Sequence, residues 1–278
     1  MPVSLIRLLL LCALLLQGCG VVRLGDNLPY GVLNNQDIEL VGEGLPTYLL
    51  MMDGLIENWP HREDMLRGGA SMYSAYAGQF VDDQKRAGRL HDKARDYAFR
   101  AACVRRDRYC DLNALSVTEL EAVLDRASRG DVRTLYTVGT VWAGWVDHNS
   151  GDWNAVADLS RVQAIFNRLA ELAPEHEQGQ VFMYLGVLDS LLPSALGGQP
   201  ERAREHFQRA IELSEGRNLM ARVLYAERYA RLTFDRELHD RLLSEVLEAE
   251  PEQHGLTLLN QFARREAERL LADADDYF

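Results

Sequence analysis

The sequence has 278 residues, 42 acidic against 30 basic side chains, a formal charge of −12, and 47% hydrophobic residues. That apolar content supplies a core for one large domain or two ordinary ones and excludes a disordered chain. The acidic balance argues against nucleic acid as a partner.

Residues 1–18 read as a signal peptide. Arg7 is the single charge before Gly18, and the apolar run from Leu8 to Leu16 suits a secretory core of roughly 7–15 residues, short of the ~20 that span a bilayer. Leu16-Gln17-Gly18-Cys19 then places a small residue directly before a cysteine, as in a bacterial lipobox. Cys19 is therefore the expected acylated, palmitate-type N-terminus. A plain leader cut near Gly18, leaving Cys19 as a thiol, is the alternative. Acylation anchors a body because each buried CH₂ contributes about 0.8 kcal/mol, and stable anchoring takes more than one chain. Gly20 after Cys19, in place of an acidic residue, points to the outer membrane more than the inner one, with the body in the periplasm. Residues 19–35 hold Gly25, Pro29 and Gly31 without helical periodicity and form the expected lipidated tether.

Residues 36–278 are expected to form one helical domain. Strand signals are nearly absent, and apolar residues recur at three- and four-residue spacing with charges opposite, the amphipathic helix pattern. Breaks at Pro60, near Gly88, at Gly130, Gly151 and Pro174, across 192–198, at Gly216 and at Pro251 divide it into about nine or ten helices in hairpin pairs. The fold class is all-α: stacked TPR-like hairpins in a solenoid-like superhelix, with a C-terminal capping helix from Leu256 to Leu271.

Repeat signals support this. Ala94-x3-Ala98-x2-Ala101 supplies small residues for close helix approach. Leu135, Val138-Gly139 and Trp142 precede Phe166, with Pro174 eight residues on; Tyr225-Ala226-x2-Tyr229 precedes Leu243, with Pro251 again eight residues on. Between them, Phe182-x2-Leu185-Gly186 and Ala203-x3-Phe207-x2-Ala210 follow the TPR pattern across a long inter-helix loop. Asp235 stands before an amphipathic run and reads as a helix cap.

Two local features leave alternatives open. Cys103 and Cys110 lie about 10.5 Å apart along an unbroken helix, too far for a disulfide, but close enough to bond if the helix ends near Arg106. Disulfide and two inert thiols both stand. The basic segment Lys85 to Arg108 reads as a solvated helix face or as a surface for anionic headgroups or an acidic partner.

Candidate ligand-binding residues are Tyr136, Trp142, Trp145 and Tyr184, with Pro193 and Leu196 on the long loop, because a Trp- and Tyr-lined cleft suits an amphipathic organic ligand. The alternative for each aromatic is core filling between helices. Enzyme signatures are absent: the sequence has no G-x-S-x-G, H-E-x-x-H, C-x-x-C or P-loop, and its His residues are scattered. Neither catalysis, cofactor nor metal site is expected.

A family resemblance rests on specific residues. Leu135-Tyr136 with Trp142-Ala143-x-Trp145, the Leu192-Pro193-x2-Leu196-Gly197-Gly198 loop leading to Ala203 and Phe207, Asp235-Arg-Glu-Leu238, and the ending Arg264-x2-Ala267-x2-Leu270-Leu271 together resemble the TatT family, the TPR-containing T component of TRAP transporters. The resemblance runs from about Leu45 to Phe278. It implies a periplasmic lipoprotein that forms a homotrimer, has a pore or cleft in each protomer, partners the TRAP solute-binding subunit, and handles a hydrophobic or organic-acid solute. A TPR-like scaffold that grips a protein or peptide without a small molecule is the second functional reading.

Overall fold

The computed structural model describes residues 30–191 and 198–278. The leader, Cys19, most of the tether, Pro193 and Leu196 lie outside the described residues. Among those described there is no strand; the 13 helices pack as sequential pairs.

The first three long helices, α1 (Ile38–Asn58), α2 (Glu63–Phe80) and α3 (Gln84–Arg105), lie side by side. Asp37 and Asp83 cap α1 and α3, their carboxylates accepting from Leu40 N (2.9 Å) and Arg86 N (2.6 Å). The break expected near Gly88 therefore falls earlier, at Val81–Asp83. Gly88 sits inside α3 because a Cβ there would meet His148 Nε2 at 3.0 Å, so the position serves close approach and not a turn. Ala94, Ala98 and Ala101 are fully enclosed, as their spacing predicts.

A short helix, α4 (Val117–Leu124), follows, with a capping box between Ser116 and Glu119. It was not expected from the break pattern, since eight residues hold barely two turns of periodicity. Next come α5 (Val132–His148), the single turn α6 (Trp153–Val156), α7 (Leu159–Leu172) and α8 (Gln180–Asp189). After the long loop, α9 (Pro200–Leu213) opens with proline in its first turn. α10 (Leu219–Leu224) runs on into a π-helical turn, Tyr225–Ala230; α11 (Arg236–Glu248), α12 (Thr257–Ala272) and the single turn α13 (Ala274–Tyr277) finish the chain. Asp235 caps α11 through Leu238 N at 3.0 Å. Pro174 and Pro251 stand just past the ends of α7 and α11, the terminator role read from their matched offsets.

One packing device recurs. A glycine on the first helix of a pair receives an aromatic from the second: a Cβ at Gly139 would lie 3.1 Å from Phe166, and one at Gly186 only 2.9 Å from Phe207. Both aromatics are completely buried.

The helices do not end in an open stack. Phe262 of α12 meets Phe80 of α2 edge-on, ring centroids 5.5 Å apart, and Leu258 and Phe262 join the core that begins at Val41. Gly255 N donates to Asn34 Oδ1 at 2.7 Å, and His254 lies 5.5 Å from Tyr30. The expected capping helix thus also returns to the beginning of the domain. Buried Asn260 fixes its seat: its Oδ1 accepts from Leu219 N (3.0 Å), and its Nδ2 donates to the carbonyls of Arg217 (2.9 Å) and Pro251 (3.1 Å). Asn260→Ala strands those groups in the interior and should lower the urea unfolding free energy by roughly 3 kcal/mol; an unchanged midpoint would remove Asn260 from this role.

Candidate functional site

The richest polar and aromatic surface lies on the seam between α3 and α5. Gly88, His91, Asp92, Arg95 and Phe99 succeed one another at helical spacing on α3 and face Trp142, Gly144, Trp145 and His148 of α5. Phe99 packs edge-on to Trp142 at 5.0 Å. Trp142 is wholly enclosed, and its indole Nε1 donates to Asp158 Oδ2 at 3.0 Å. Trp145 is only half-buried and donates from Nε1 to Asp92 Oδ1 at 2.8 Å.

Arg95 lies over the Trp145 ring, its Cζ 3.8 Å from the centroid. Stacking of this kind contributes about 0.5–2 kcal/mol and leaves the edge donors of the guanidinium unused. No hydrogen bond or ion pair joins Arg95 to another described residue. Burial lowers its pKa, against the opposing pull of Asp158 and Asp92. An indole face and a half-buried cation thus lie together where a ligand could use both.

Deeper in the seam, His91 is buried, with its Nδ1 unpartnered among the described residues, 5.1 Å ring to ring from His148. Burial, then the neighbouring His148, brings its pKa down to about 4, although Asp147 and Asp92 act the other way.

Tyr136 and Tyr184 lie on a different seam, where α5 meets α7 and α8. Tyr184 stacks on Phe166 at 4.7 Å, and Tyr136 stands edge-on to both while its hydroxyl donates to Gln180 Oε1 at 2.9 Å. Burial raises the Tyr184 pKa to about 12. Of the six residues singled out from sequence, the structure thus brings Trp142 and Trp145 together and sets Tyr136 and Tyr184 together elsewhere; Pro193 and Leu196 lie outside the described residues. Sequence reasoning missed Arg95 and its neighbours Asp92 and Asp158. The available signal was position: Arg95 falls between His91 and Phe99 at four-residue steps, on the face that meets α5.

A second missed group borders the long loop. The buried Asp189 carboxylate accepts from Gln163 Nε2 (2.8 Å), contacts His206 Nδ1 (2.9 Å) and pairs with Arg202 (3.5 Å), while its carbonyl accepts from Gln199 N (3.0 Å). It ties the end of α8 to the start of α9 across the connection.

The basic segment stays solvated at Lys85, Arg86 and Arg89 and turns inward at its C-terminal end. α3 ends at Arg105, and the following turn brings Cys103 and Cys110 into a disulfide. That turn delivers Arg105 (2.9 Å), Arg106 (3.1 Å) and Arg108 (3.7 Å) to the buried Asp131 carboxylate. Burial alone would raise the Asp131 pKa; hydrogen bonds from Ser128 and from Arg105 and Arg106 overcome it and hold the acid well below the usual range. Lys93 likewise meets Asp53 at 2.5 Å, together with the hydroxyls of Tyr73 and Tyr97. These cations have acidic partners within the chain.

Such a chain is a helical-repeat protein whose charged groups mostly hold one another in place; among the described residues no group of three or more His, Cys, Asp or Glu could hold a metal ion. It belongs to the family described as the TRAP transporter T-component, whose model matches residues 34–278, nearly the whole described helical body. That family is a transporter accessory one, and its members associate with TRAP transporter components. A protein of Treponema pallidum (strain Nichols), described as uncharacterized, is 27% identical over 273 residues, covering 87% of this chain and 80% of that protein. No helix among the described residues is long and apolar enough to cross a membrane.

The two seam tryptophans should separate on mutation: Trp142→Ala is expected to cost about 3–5 kcal/mol in urea unfolding and Trp145→Ala about 1 kcal/mol. Equal losses would place Trp145 in the core as well. His91 supplies a pH signature. Because the folded imidazole titrates near 4 and the unfolded one near 6.5, its neutral form stabilises the fold above pH 6.5, and that contribution drains as pH falls from 6.5 through 4, by at most about 3 kcal/mol. His91→Leu should flatten the slope of melting temperature against pH in that window; an unaltered slope would assign it to other groups.

Proposed function

We propose that this protein is an exported T component that takes an organic or hydrophobic solute at the α3–α5 seam and exchanges it with the solute-binding subunit of a TRAP transporter. Cys19, acylated after removal of residues 1–18, anchors it to a membrane, the outer in preference to the inner, with the helical body in the periplasm. The working unit is a homotrimer. The observation that carries the reading is the T-component match through residues 34–278; the seam supplies the place. There Trp145 offers a flat apolar face, and Arg95 fixes the polar end of the solute with donors that no described side chain uses. Pro193 and Leu196, the loop residues singled out from the sequence, are further candidate contacts for the solute. Tyr136, Trp142 and Tyr184 hold the helices that carry it.

A second reading, a scaffold for a protein or peptide, draws support from exposed apolar side chains: Trp153 is 85% exposed, and Leu40, Leu50 and Met51 stand out along α1. Native mass spectrometry of the chain, extracted in mild detergent from a Gram-negative host, separates the two. A trimer carrying a reproducible organic mass, diminished at least tenfold in Trp145→Ala and Arg95→Gln, is the expected result. A ligand-free chain that retains one envelope protein other than a TRAP subunit favours the scaffold. Metabolic labelling with an alkyne fatty acid should mark the wild-type chain and not Cys19→Ser, which should leave the membrane fraction; a Cys19→Ser chain still on the membrane sinks the anchor.

A further inference from the structure

A separate concavity of ≈ 330 Å³ opens where the turn Arg129–Asp131 enters α5 and the α7–α8 connection passes over it. Its polar lining is Arg129, Arg133 and His176, with Glu175 beside them; Val132, Ala173 and Pro174 form an apolar wall. The volume lies at the small end of the range of small-molecule sites, about 300–1,000 Å³.

The two arginines differ from the other cations nearby. Arg105, Arg106 and Arg108 are committed to Asp131, Arg67 to Glu63, and Arg168 to Glu171. Arg129 and Arg133 have no ion pair and no side-chain hydrogen bond with any described residue, although the chain carries more carboxylates than cations. Two guanidiniums lining one concavity offer forked donors to an oxyanion. His176 stands at the back of the concavity, edge-on to Tyr136 at 4.9 Å, with Glu177 Oε1 3.9 Å from its Nε2. Burial lowers the His176 pKa; Glu177 opposes this, and Arg133 and Arg67 reinforce it, so the imidazole is neutral at pH 7 and keeps an N–H to donate. The chain beyond it is held in an unusual path, Glu177, Gln178 and Gly179 all having positive φ, with Gly179 closed over Leu213 at 2.6 Å from a Cβ position.

We propose that this concavity is an oxyanion site: Arg129 and Arg133 together grip a carboxylate or phosphate group of a small ligand, His176 donates to it or to a neighbouring polar atom, and Val132, Ala173 and Pro174 face its carbon chain. The site stands apart from the α3–α5 seam and does not depend on it. Glu175 moderates the affinity, since a carboxylate there repels any bound anion, and a dianion more than a monoanion.

The test uses the full chain in detergent, isotope-labelled at arginine, with the Nε–H signals followed by NMR as butyrate, its neutral isostere butyramide, or inorganic phosphate is added. Saturable shifts of Arg129 and Arg133 with butyrate or phosphate, and none with butyramide, are expected. Which anion shifts them assigns the source, carboxylate or phosphate. Arg129→Gln and Arg133→Gln should each weaken that binding about tenfold, and Glu175→Gln should tighten it several-fold, with the unfolding midpoint of each variant unchanged because all three side chains are exposed. Butyramide binding as well as butyrate, equal anion binding by the double Arg129→Gln/Arg133→Gln variant, or no shift with either anion overturns the site. A response abolished by Arg95→Gln overturns it too, since the anion then sits at the seam.

Discussion

Phe262 meets Phe80 only if every helix pair between them turns by the right amount. In an open solenoid each pair touches its neighbours alone, and curvature at one joint is of no consequence at another. Here the return of α12 to the first helices makes curvature a property of the whole chain. The Asn34–Gly255 hydrogen bond and the three bonds of Asn260 hold the closing element at its N-terminal end.

That curvature is set by side-chain size at the helix crossings. Gly139 admits Phe166 and Gly186 admits Phe207, each at a distance that a methyl group would violate. On the first hairpin Gly69 does the same for Ile56 and Tyr97, where a Cβ would lie 2.8 and 3.1 Å from them. Helices brought this close leave little room for solvent, which is why the polar groups between them are paired across elements: Trp142 with Asp158, Gln163 with Asp189, Thr134 with Glu63. The seam between α3 and α5 departs from this rule at Arg95, and the concavity below α5 departs from it at Arg129 and Arg133.

What could be read from the sequence follows from the range of each interaction. Helix type, hairpin order, the Asp235 cap, the stops at Pro174 and Pro251 and the alanine face of α3 all depend on residues within a few positions of one another, and periodicity carries them. Gly88 misled because glycine marks a turn and a close helix contact with the same letter, and only His148, far along the chain, decides between them. The gathering of Arg105, Arg106 and Arg108 on Asp131 joins residues more than twenty positions apart, so a locally basic segment gave no sign of an acid waiting for it. At the candidate site, Trp142 and Trp145 were visible as a pair, yet which of them is sealed and which reaches the surface depends on where Phe99 and Arg95 sit on the facing helix. Arg95 itself escaped notice because a cation on an apolar helix face usually extends to solvent, and an indole beneath it is a tertiary fact.

The return of α12 also has a consequence in time. A ribosome delivers Tyr76 and Phe80 early and Phe262 near the end, so the surface that α12 covers is finished long before its cover exists. Throughout that interval the nascent chain displays aromatic surface that a chaperone could hold. A product cut short of α12 would keep displaying it, and so would be marked for removal by its own missing piece.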